Sequence, residues 1–524
     1  MTDEQPLSRR AARAGSSKPP RQPRQKRQKP QPGGDAGAPV IVDETGKPVV
    51  AKGGILAAIR KHPTASLFSA LGVAFVLLGT GAVFAGVAYG STPVAAPTTE
   101  PTQAPPRPQP TGASTPAILR TCSVSKLAGD PRLMSLVGSV VRADTGEALY
   151  GRSSTKANRT GSVLKVLTAS AAIEVLTADY QITTSVVTGS QPGSIVLVGH
   201  GDPTLSAMPP GTESVYAGAP KLSSLAAAVI AKYTSLYPGQ AIESVVLDAT
   251  YWNPGDKWDP SWKRSEQTIG YHSEVTALQV DGDRKDPTKQ TSPRSTDPIK
   301  RAGDKFVAAL KAADPGGVVA DDVAITTGAA AGGTALASVK SQPLRVLIKQ
   351  MLLNSDNTLA EMLARIVSKE SGFDGSSASL QQAIPSALFA DDPVAAARLV
   401  IKDGSGLSDQ NGVPPITMAQ FMRRVQAGSD NLDVVRDALP VAGKSGTLAS
   451  RFTGDNAVVR GHVTAKTGWI DTAYTLSGFM DAADGTELTF AFYAIGDGIK
   501  DNAKQALDTL VAGVYKCGNG LAAF

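Results

Sequence analysis

Three short groups of residues in this chain of 524 residues have the composition of an acyl-transfer site. In chain order they are Ser162-Val-Leu-Lys165, Ser355-Asp-Asn357 and Lys466-Thr-Gly468. A serine hydroxyl becomes a strong nucleophile when a neighbouring base takes its proton, and a lysine three residues further along a helix lies on the same face. The second serine, the amide and the second lysine would move protons and supply positive charge. This order of groups predicts a serine enzyme that forms an acyl intermediate.

Each group also has a look-alike elsewhere in the chain. Ser-x-x-Lys recurs at Ser123–Lys126 and Ser153–Lys156, Ser-Asp-Asn recurs at Ser429–Asn431, and Lys-Ser-Gly stands at Lys444–Gly446. The look-alikes stand in polar or glycine-rich segments, or beside Cys122 at the start of the outer region. The spacing alone therefore does not identify the site, and the neighbouring residues have to decide.

Local context favours the first set. An apolar stretch rich in Ala and Leu follows Ser162, which predicts that this serine begins a helix, where free backbone N–H groups could stabilise an oxyanion. Ser355 separates two apolar helical stretches, VLIKQMLL and LAEMLARIV, so its polar neighbours would lie at a buried junction. Lys466 continues the strand-like segment HVTA and precedes a second apolar strand, which predicts a sheet edge that a substrate backbone could approach.

The elements that must position these groups are strands at both ends of the outer region with helices between them. We predict a strand, a turn and a strand over 135–150, a helix over Val163–Leu176, a hairpin over Val186–Val198, a helix over Leu222–Leu236, a strand over Ser244–Leu247 and a helix over Arg301–Ala313. Further along we predict two helices over 343–369, helices over Pro393–Lys402 and Thr417–Ala427, strands over Gly461–Lys466, Tyr474–Met480 and Glu487–Ile495, and a last helix over Lys504–Tyr515. The simplest architecture is one catalytic domain, 118–185 plus 341–524, split by a mixed α/β insertion over 186–340.

The N-terminal part of the chain has a different character. Of 52 Lys and Arg against 46 Asp and Glu, residues 1–61 hold 13 and 5, so the remaining 39 against 41 are nearly balanced. Residues 65–89 carry no charge and are long enough to cross a bilayer, so we predict a transmembrane helix over 62–90. The basic side of that segment places the N-terminus in the cytoplasm and the rest outside the cell membrane. A cleaved signal peptide, and a nucleic-acid-binding role for the basic tail, are the weaker alternatives.

Two linkers and two cysteines complete the organisation. Residues 1–61 are rich in Pro, Gln, Lys and Arg and are predicted to be a disordered tail, and residues 91–117 form a Pro/Thr-rich stalk. Cys122 and Cys517 stand at the two ends of the outer region, where an oxidising compartment would permit a disulfide between them. Two unpaired thiols remain the alternative.

With these motifs in place, the chain resembles the class C low-molecular-mass penicillin-binding proteins, the serine D-alanyl-D-alanine carboxypeptidases and endopeptidases of peptidoglycan. The resemblance covers about 118–520 and extends to Gly201-Asp-Pro-Thr-Leu205, NSDNTLAEML over 354–363, Asp403-Gly-Ser-Gly-Leu-Ser408 and Gly446-Thr-Leu-Ala-Ser-Arg-Phe452. It implies a β-lactamase/DD-peptidase-like α/β (α+β) fold with an inserted domain. It also implies peptidoglycan stem peptides and β-lactam antibiotics as ligands, with no nucleic acid among the partners.

The resemblance assigns roles to the first two groups. Ser162 would attack the D-Ala-D-Ala carbonyl, and Lys165, less basic because of burial and of Lys466, would accept its proton. Ser355 would pass that proton to the leaving amine. Asn357 would hold Lys165 and a substrate amide.

The third group would bind the substrate. Lys466 and Thr467 would attract the terminal carboxylate, and Gly468 would let the substrate backbone approach. Trp469 would supply a backbone N–H to the oxyanion hole together with Ser162. Trp469 stands where the family usually has a small hydroxylated residue, so one carboxylate contact is expected to be lost.

Other kinds of chemistry have weaker support in the sequence. A Ser-His-Asp site would need His200, His272 or His462, and none has supporting neighbours. Without a His-Glu-x-x-His or cysteine cluster we expect no metal and no cofactor. The remaining alternatives on the same fold are a β-lactamase and a non-catalytic cell-wall-binding protein. Trp252, Trp258 and Trp262 are predicted to pack in the core or in loops, with contact to glycan or peptide as the alternative.

Overall fold

Ten β-strands form two five-stranded sheets within residues 119–523, the part of the chain that the computed structural model describes. The strands are β1 Ser135–Arg142, β2 Ala148–Arg152, β3 Thr183–Thr188, β4 Ser194–Val198, β5 Ile242–Asp248, β6 Val319–Thr327, β7 Ala335–Lys340, β8 Val463–Ile470, β9 Ala473–Asp481 and β10 Glu487–Ile495.

The first sheet brings the two ends of the described chain together. Its order is β2-β1-β10-β9-β8, and every neighbouring pair is antiparallel. Side chains alternate between its faces, as the pleat requires. In β10, Ala491 and Tyr493 join one hydrophobic core, whereas Phe490 and Phe492 join another. The strand β8, which carries Lys466, lies at the edge of this sheet, as predicted.

Helices cover both faces of the first sheet. The α-helices of residues 119–523 are α1 Ser125–Ala128, α2 Lys165–Leu176, α3 Leu222–Leu236, α4 Ser265–Ile269, α5 Pro298–Ala312, α6 Leu344–Asn354, α7 Asn357–Glu370, α8 Leu380–Leu388, α9 Pro393–Ala396, α10 Pro415–Ala427, α11 Asp433–Arg436 and α12 Ala503–Cys517. Helix α10 packs on β1, β9 and β10, and α2 packs against α6, α7 and α8 behind it. Helix α12 packs on β9 and β10 from the other face. Helix α2, with its small Ala and Ser side chains, is buried on nearly every side, which makes it the central helix of the core.

The second sheet is mixed and lies between residues 183 and 340. Its order is β6-β5-β4-β3-β7, in which β3 pairs antiparallel with β4 and β7, while β4, β5 and β6 are parallel. Helices α3 and α5 pack against each other and against its strands. Apolar side chains of this sheet share one hydrophobic core with α2, α6 and α7. The domain boundaries proposed from the sequence stay a prediction, because a common core does not locate them.

Most of the predicted elements are present within a few residues of their expected bounds. The helix expected over Pro393–Lys402 is wrong, because α9 ends at Ala396 and buries none of its residues. Without a buried face a short helix has little to stabilise it. The chain beyond it instead pairs Val400 with Gly412 through two backbone hydrogen bonds of 2.8 Å.

A disulfide joins the two ends of the described region. Cys122 and Cys517 are bonded with Cα atoms 5.4 Å apart, as the sequence suggested. Beside the bond, the backbone N–H of Cys122 donates to Gly520 O at 3.0 Å, and Ala522 N–H donates to Cys122 O at 2.9 Å. The segment before α1 is thereby tied to the end of α12. The predicted tail, membrane span and stalk lie outside residues 119–523, and no helix inside that range is long and apolar enough to span a membrane.

Candidate active site

Ser162 lies on a short 3-10 turn, Gly161–Leu164, that leads directly into α2. The sequence predicted that the α-helix itself would begin at this serine, and that detail is wrong, because α2 begins at Lys165. A 3-10 turn has three residues per turn, so the side chains of residues 162 and 165 lie one above the other. Gly161 has a φ of +50°, and a Cβ there would lie 3.0 Å from Trp469 N. The glycine therefore lets β8 approach the serine closely.

Lys165 connects the nucleophile to two other segments of the chain. Its Nζ atom donates hydrogen bonds to Ser162 Oγ at 2.9 Å, to Asn357 Oδ1 at 2.7 Å and to the backbone oxygen of Ser405 at 2.7 Å. The side chain is fully buried. When the amine is neutral, its two N–H groups can keep the bonds to Asn357 and Ser405 while its lone pair accepts the hydrogen of the serine hydroxyl, and this is the geometry that a general base needs.

Ser355 and Asn357 flank the break between α6 and α7, as the sequence predicted. Ser355 ends α6 in the left-handed conformation, with φ of +56°, and this turns the chain so that α7 can begin two residues later. Asp356 caps α7, because its carboxylate accepts the Leu359 N–H at 3.1 Å. Asn357 is the first residue of α7 and is buried, so its amide is held facing Lys165.

Lys466 reaches the same junction from the edge strand. Its Nζ atom donates to Ser355 Oγ and to Thr467 O, both at 2.9 Å. Burial, and then the nearby charge of Lys165, hold the pKa of Lys466 well below its usual value. Lys165 thus contacts Asn357 and Lys466 contacts Ser355, so both lysines reach the break between α6 and α7.

The residues after Lys466 form the wall of the cleft. Thr467 is half-buried, and its Oγ1 lies 2.8 Å from Thr447 Oγ1. A Cβ at Gly468 would lie 2.6 Å from Thr160 O and 2.9 Å from Ser162 N, so only glycine fits at this position. The ring of Trp469 packs against Tyr474, with 6.0 Å between the centroids. All eight residues predicted for the catalytic and binding site therefore lie around Ser162.

Lys165 also contacts a buried loop, to which the sequence analysis gave no catalytic role. The Ser405 carbonyl belongs to Asp403-Gly-Ser-Gly-Leu-Ser408, which the sequence marked only as supporting text. Glu361 accepts backbone N–H groups of Gly404 at 3.1 Å and Ser405 at 2.7 Å. Burial, and then the charge of Asp403, raise the pKa of Glu361. An acidic residue within the apolar run LAEML, one helical turn after Asn357, was the available signal.

Asp403 organises the other end of this loop. Its carboxylate accepts hydrogen bonds from Gly406 N at 2.7 Å, Ser408 N at 2.6 Å and Trp262 Nε1 at 2.8 Å. Trp262 and Trp252 are buried, which confirms that these tryptophans pack in the core. Trp262, which lies between β5 and β6 of the second sheet, thereby links that segment to the loop that contacts Lys165.

The look-alike motifs and the histidines lie elsewhere. Ser429–Asn431 forms an exposed 3-10 turn and Lys444–Gly446 lies in a loop, as predicted. His200 Nδ1 lies 3.0 Å from Thr183 O, and the His462 ring packs on Tyr515. His272 is fully buried beside Trp262, and burial, followed by the charge of Arg294, lowers its pKa to about 3. These positions give a Ser-His-Asp site no support.

Comparison with known proteins now assigns the fold and the site to a family. The model of the D-Ala-D-Ala carboxypeptidase 3 (S13) family matches residues 121–291 and 284–514, which include every residue named above around Ser162. The chain belongs to this family. Membership confirms the resemblance to the class C low-molecular-mass penicillin-binding proteins. It makes the chain a serine-type D-Ala-D-Ala carboxypeptidase by class.

Relatives of the family match the chain over most of their length. Carboxypeptidase DacB of Mycolicibacterium smegmatis is 32% identical over 461 residues, which cover 86% of this chain and 96% of that protein. A carboxypeptidase of Mycobacterium tuberculosis is 35% identical over 407 residues, covering 76% and 84%. The crystal structure of penicillin binding protein 4 from Haemophilus influenzae is 19% identical, with a TM-score of 0.61, and the match covers 75% of this chain and 99% of that one. That structure supports the two-sheet α/β fold.

Proposed function

We propose that this chain is a membrane-anchored serine carboxypeptidase that removes the terminal D-Ala from D-Ala-D-Ala stem peptides of peptidoglycan through an acyl-enzyme on Ser162, and that penicillins acylate the same serine. The observation that carries the proposal is the contact of Lys165 Nζ with Ser162 Oγ at 2.9 Å, while Asn357 and Ser405 fix the same amine. Each step below follows from a contact in this cluster.

Acylation begins at the serine hydroxyl. Neutral Lys165 takes the proton of Ser162 as Oγ attacks the carbonyl carbon of the penultimate D-Ala. Because Lys165 is buried and bonded to two fixed acceptors, the base needs no rearrangement before it acts. The C–N bond to the terminal residue then breaks, and that residue leaves as an amine.

The leaving amine needs a proton, and Ser355 stands where it can deliver one. Its hydroxyl accepts a hydrogen bond from Lys466 Nζ at 2.9 Å, so its own hydrogen can point toward the cleft. The lowered pKa of Lys466 makes it a readier proton donor to Ser355 than an exposed lysine would be. The proton that Lys165 took from Ser162 returns to Lys466 as the terminal residue departs, so Lys165 is neutral when water attacks the ester and serves again as the base. The proton that it takes from the water passes to Ser162 Oγ as the ester bond breaks.

Two backbone N–H groups would stabilise the negative charge that develops on the carbonyl oxygen. The N–H groups of Ser162 and Trp469 belong to segments that pack together at Gly161 and Gly468. Removal of one such donor typically costs about 3–4 kcal/mol in the barrier. Because both donors are backbone atoms, the large side chain of Trp469 does not remove either of them.

The sequence before residue 119 supports a membrane anchor. The uncharged segment 65–89 is preceded by the basic tail, which is the arrangement of a single-pass protein with its catalytic region outside the cell. The disulfide between Cys122 and Cys517 is compatible with an oxidising compartment. A stalk over 91–117 would hold the catalytic region away from the membrane surface.

The test uses the full-length chain in detergent. We expect a fluorescent penicillin to form a stable adduct that peptide mapping by mass spectrometry places on Ser162, and we expect release of free D-Ala from diacetyl-Lys-D-Ala-D-Ala. Ser162→Ala should lose both. Ser153→Ala is the matched control, because Ser153 begins a second Ser-x-x-Lys sequence in a turn, and it should lose neither.

The outcomes separate the alternative functions. Rapid hydrolysis of the penicillin without release of D-Ala would indicate a β-lactamase. No adduct and no hydrolysis would indicate a binding protein on this fold. An adduct on any serine other than Ser162 would disprove the assignment of the nucleophile.

A further inference from the structure

The buried loop over 403–408 contacts both the nucleophile and its base through backbone atoms. Gly406 has a φ of +78°, and a Cβ there would lie 3.1 Å from Ser162 N, so the loop packs directly against the backbone of the nucleophile. The backbone oxygen of Ser405 accepts a hydrogen bond from Lys165 Nζ at 2.7 Å. The direction of the base therefore depends on how this short stretch of backbone is held.

The peptide unit between Ser405 and Gly406 joins Lys165 to a buried carboxylate. The carbonyl of this unit accepts from Lys165, and its N–H, which belongs to Gly406, donates to Asp403 Oδ1 at 2.7 Å. Every peptide bond within residues 119–523 is trans, and the C=O and N–H of a planar trans peptide point in opposite directions. Asp403 and Lys165 therefore lie on opposite sides of one rigid unit.

The surroundings of Asp403 favour its ionised form. Besides Gly406, its two oxygens accept from Asn411 Nδ2 at 2.8 Å, Ser408 N at 2.6 Å and Trp262 Nε1 at 2.8 Å. N–H groups can only donate, so all four contacts need acceptor oxygens. Burial raises the pKa of Asp403, and these bonds oppose that rise. Because linked hydrogen bonds polarise one another, a carboxylate on the N–H side makes the carbonyl on the other side a stronger acceptor.

The preceding peptide unit is built in the same way but ends on a different group. The Ser405 N–H donates to Glu361 Oε1 at 2.7 Å, and Gly404 O accepts from Thr168 Oγ1 at 2.6 Å. Glu361 is thus a second buried carboxylate that holds the same loop. Its peptide unit bonds a hydroxyl group rather than the base, so the chain itself offers a comparison for Asp403.

We propose that Asp403 is a positioning residue for Lys165 and acts through the peptide unit between Ser405 and Gly406. This inference rests on the proposed acyl-enzyme function. The carboxylate fixes the unit, and the carbonyl of the unit holds one N–H of the neutral amine away from the nucleophile. The lone pair of the amine then stays directed at the Ser162 hydroxyl. Asp403 touches neither the substrate nor a reacting atom, and no proton passes through the peptide unit.

The first experiment measures acylation by benzylpenicillin at several concentrations, which separates the Kd of the initial complex from the first-order rate constant of acylation. For Asp403→Asn, at the pH where each protein reacts fastest, we expect this rate constant to fall about 10- to 100-fold, as for loss of a hydrogen bond to a charged group, with little change in Kd. Glu361→Gln is the comparison, because it also neutralises a buried carboxylate of the loop. It should slow acylation about threefold or less, since its peptide unit bonds a neutral hydroxyl. Equal falls would overturn the proposal.

The pH profile of acylation distinguishes positioning from general damage to the loop. Lys165 must be neutral to act as a base, and a carboxylate across the peptide unit favours its charged form. In Asp403→Asn the rise of the rate constant with pH should therefore occur at lower pH. The variant keeps the two other ionisable groups that act on Lys165, which are Lys466 on β8 and His272 between α4 and α5. A lower rate at every pH, with the rise unmoved, would contradict the role of Asp403.

A change in the backbone tests the same link if Asp403→Asn does not fold. Cell-free translation of the full chain with glycolic acid in place of Gly406 makes an ester, which removes the N–H and keeps every side chain. Acylation should slow about 10-fold or more. Glyceric acid in place of Ser405 removes the N–H that Glu361 accepts and should have a smaller effect.

The outcomes for the two esters separate this inference from the function on which it rests. Equal rates for the two esters overturn the role of Asp403, while the assignment of the acyl-enzyme stands. A wild-type chain that forms no adduct on Ser162 overturns the proposed function, and the role of Asp403 with it.

Discussion

Arg284 Nη2 lies 2.9 Å from Asp356 Oδ2, and both side chains are completely removed from solvent. Asp356 is the middle residue of Ser355-Asp-Asn357, whereas Arg284 comes from the segment between β5 and β6. Burial alone would raise the pKa of Asp356, but the charges of Arg284 and Arg294 outweigh it and hold the pKa far below its usual value. The Tyr216 hydroxyl donates to the same oxygen at 2.9 Å. The break between α6 and α7 is therefore fixed by a buried ion pair.

Removal of Arg284 should destabilise the protein strongly. Arg284→Met leaves a buried carboxylate without its counter-charge, which typically costs about 3–5 kcal/mol of the free energy of unfolding. Adding Asp356→Asn should recover part of that loss, because the amide still caps α7 and carries no charge. Urea denaturation of the single and double variants measures both. Lys300→Ala, which breaks the exposed pair of Lys300 with Asp304, should cost about 0.5 kcal/mol or less.

The low pKa of Lys466 should depend in part on Lys165. Burial is its larger cause and the charge of Lys165 the smaller, so Lys165→Met should raise the pKa of Lys466 without returning it to the usual value. The protein labelled with ¹³Cε-lysine, titrated by NMR, reports this pKa directly, and Lys466→Arg identifies the resonance. A resonance that titrates at the same pH with and without Lys165 would show that the two amines are not coupled.

Two Asp-Pro-Thr sequences provide a matched pair for pH dependence. In Asp202-Pro-Thr204 and Asp286-Pro-Thr288 the threonine N–H and hydroxyl both donate to the aspartate Oδ1. Asp202 is buried, and burial raises its pKa to about 6. Asp286 is only partly buried, with 42% of its side chain accessible, and the hydrogen bonds from Thr288 lower its pKa. The same local structure therefore shifts the two carboxyl groups in opposite directions.

The substitutions Asp202→Asn and Asp286→Asn should change the stability of the protein in opposite directions at neutral pH. The folded protein keeps the Asp202 proton where the unfolded chain has lost it, so stability falls as the pH rises from about 4 to about 6. Asp202→Asn should thus be more stable than wild type by about 3 kcal/mol above pH 7, with the difference vanishing near pH 4. Asp286→Asn should be slightly less stable at neutral pH, since the ionised form of Asp286 is the favoured one. Urea denaturation at several pH values measures the two trends, and parallel curves would contradict them.

Trp262 should affect acylation from a distance. Its Nε1–H donates to Asp403, which shapes the loop whose Ser405 carbonyl accepts from Lys165. Trp262→Phe removes one hydrogen bond from the buried Asp403 carboxylate, which typically costs about 1–3 kcal/mol. We therefore expect acylation by penicillin to slow about 10-fold. Trp258→Phe is the control, because Trp258 Nε1 donates only to the Trp262 backbone oxygen in this region. Equal rates for the two variants would exclude a link through Asp403.

The sequence located the catalytic groups through context that is local. An apolar helix after Ser162 and a polar break at Ser355 are visible within about ten residues, and both are present in the structure. The strand predicted to end at Lys466 is also present, but it continues to Ile470. The location of Gly468 and Trp469 beside the site could be predicted equally well, because Lys466 was predicted to lie on an edge strand, as β8 does.

The same reasoning could not predict contacts between residues that are far apart in the sequence. Arg284 and Asp356 are 72 residues apart in a single sequence, and no periodic pattern connects them. Ser405 acts through a backbone oxygen, which side-chain motifs do not reveal. The 3-10 turn at Ser162 was missed because it differs from an α-helix by a single hydrogen-bond register at a helix end, where boundaries depend on packing.

The order β2-β1-β10-β9-β8 also governs when the enzyme can become active during its synthesis. Besides β2, the neighbour of β1 is β10, the last strand within residues 119–523, and β8 joins the sheet through β9 and β10. A nascent chain whose Ser162 and Lys165 have left the ribosome therefore has the nucleophile and its base, but not yet the strand β8 that lies beside them. The edge strand is in place only after β9 and β10 have been synthesised, so we expect a chain that terminates before Glu487 to lack hydrolase activity.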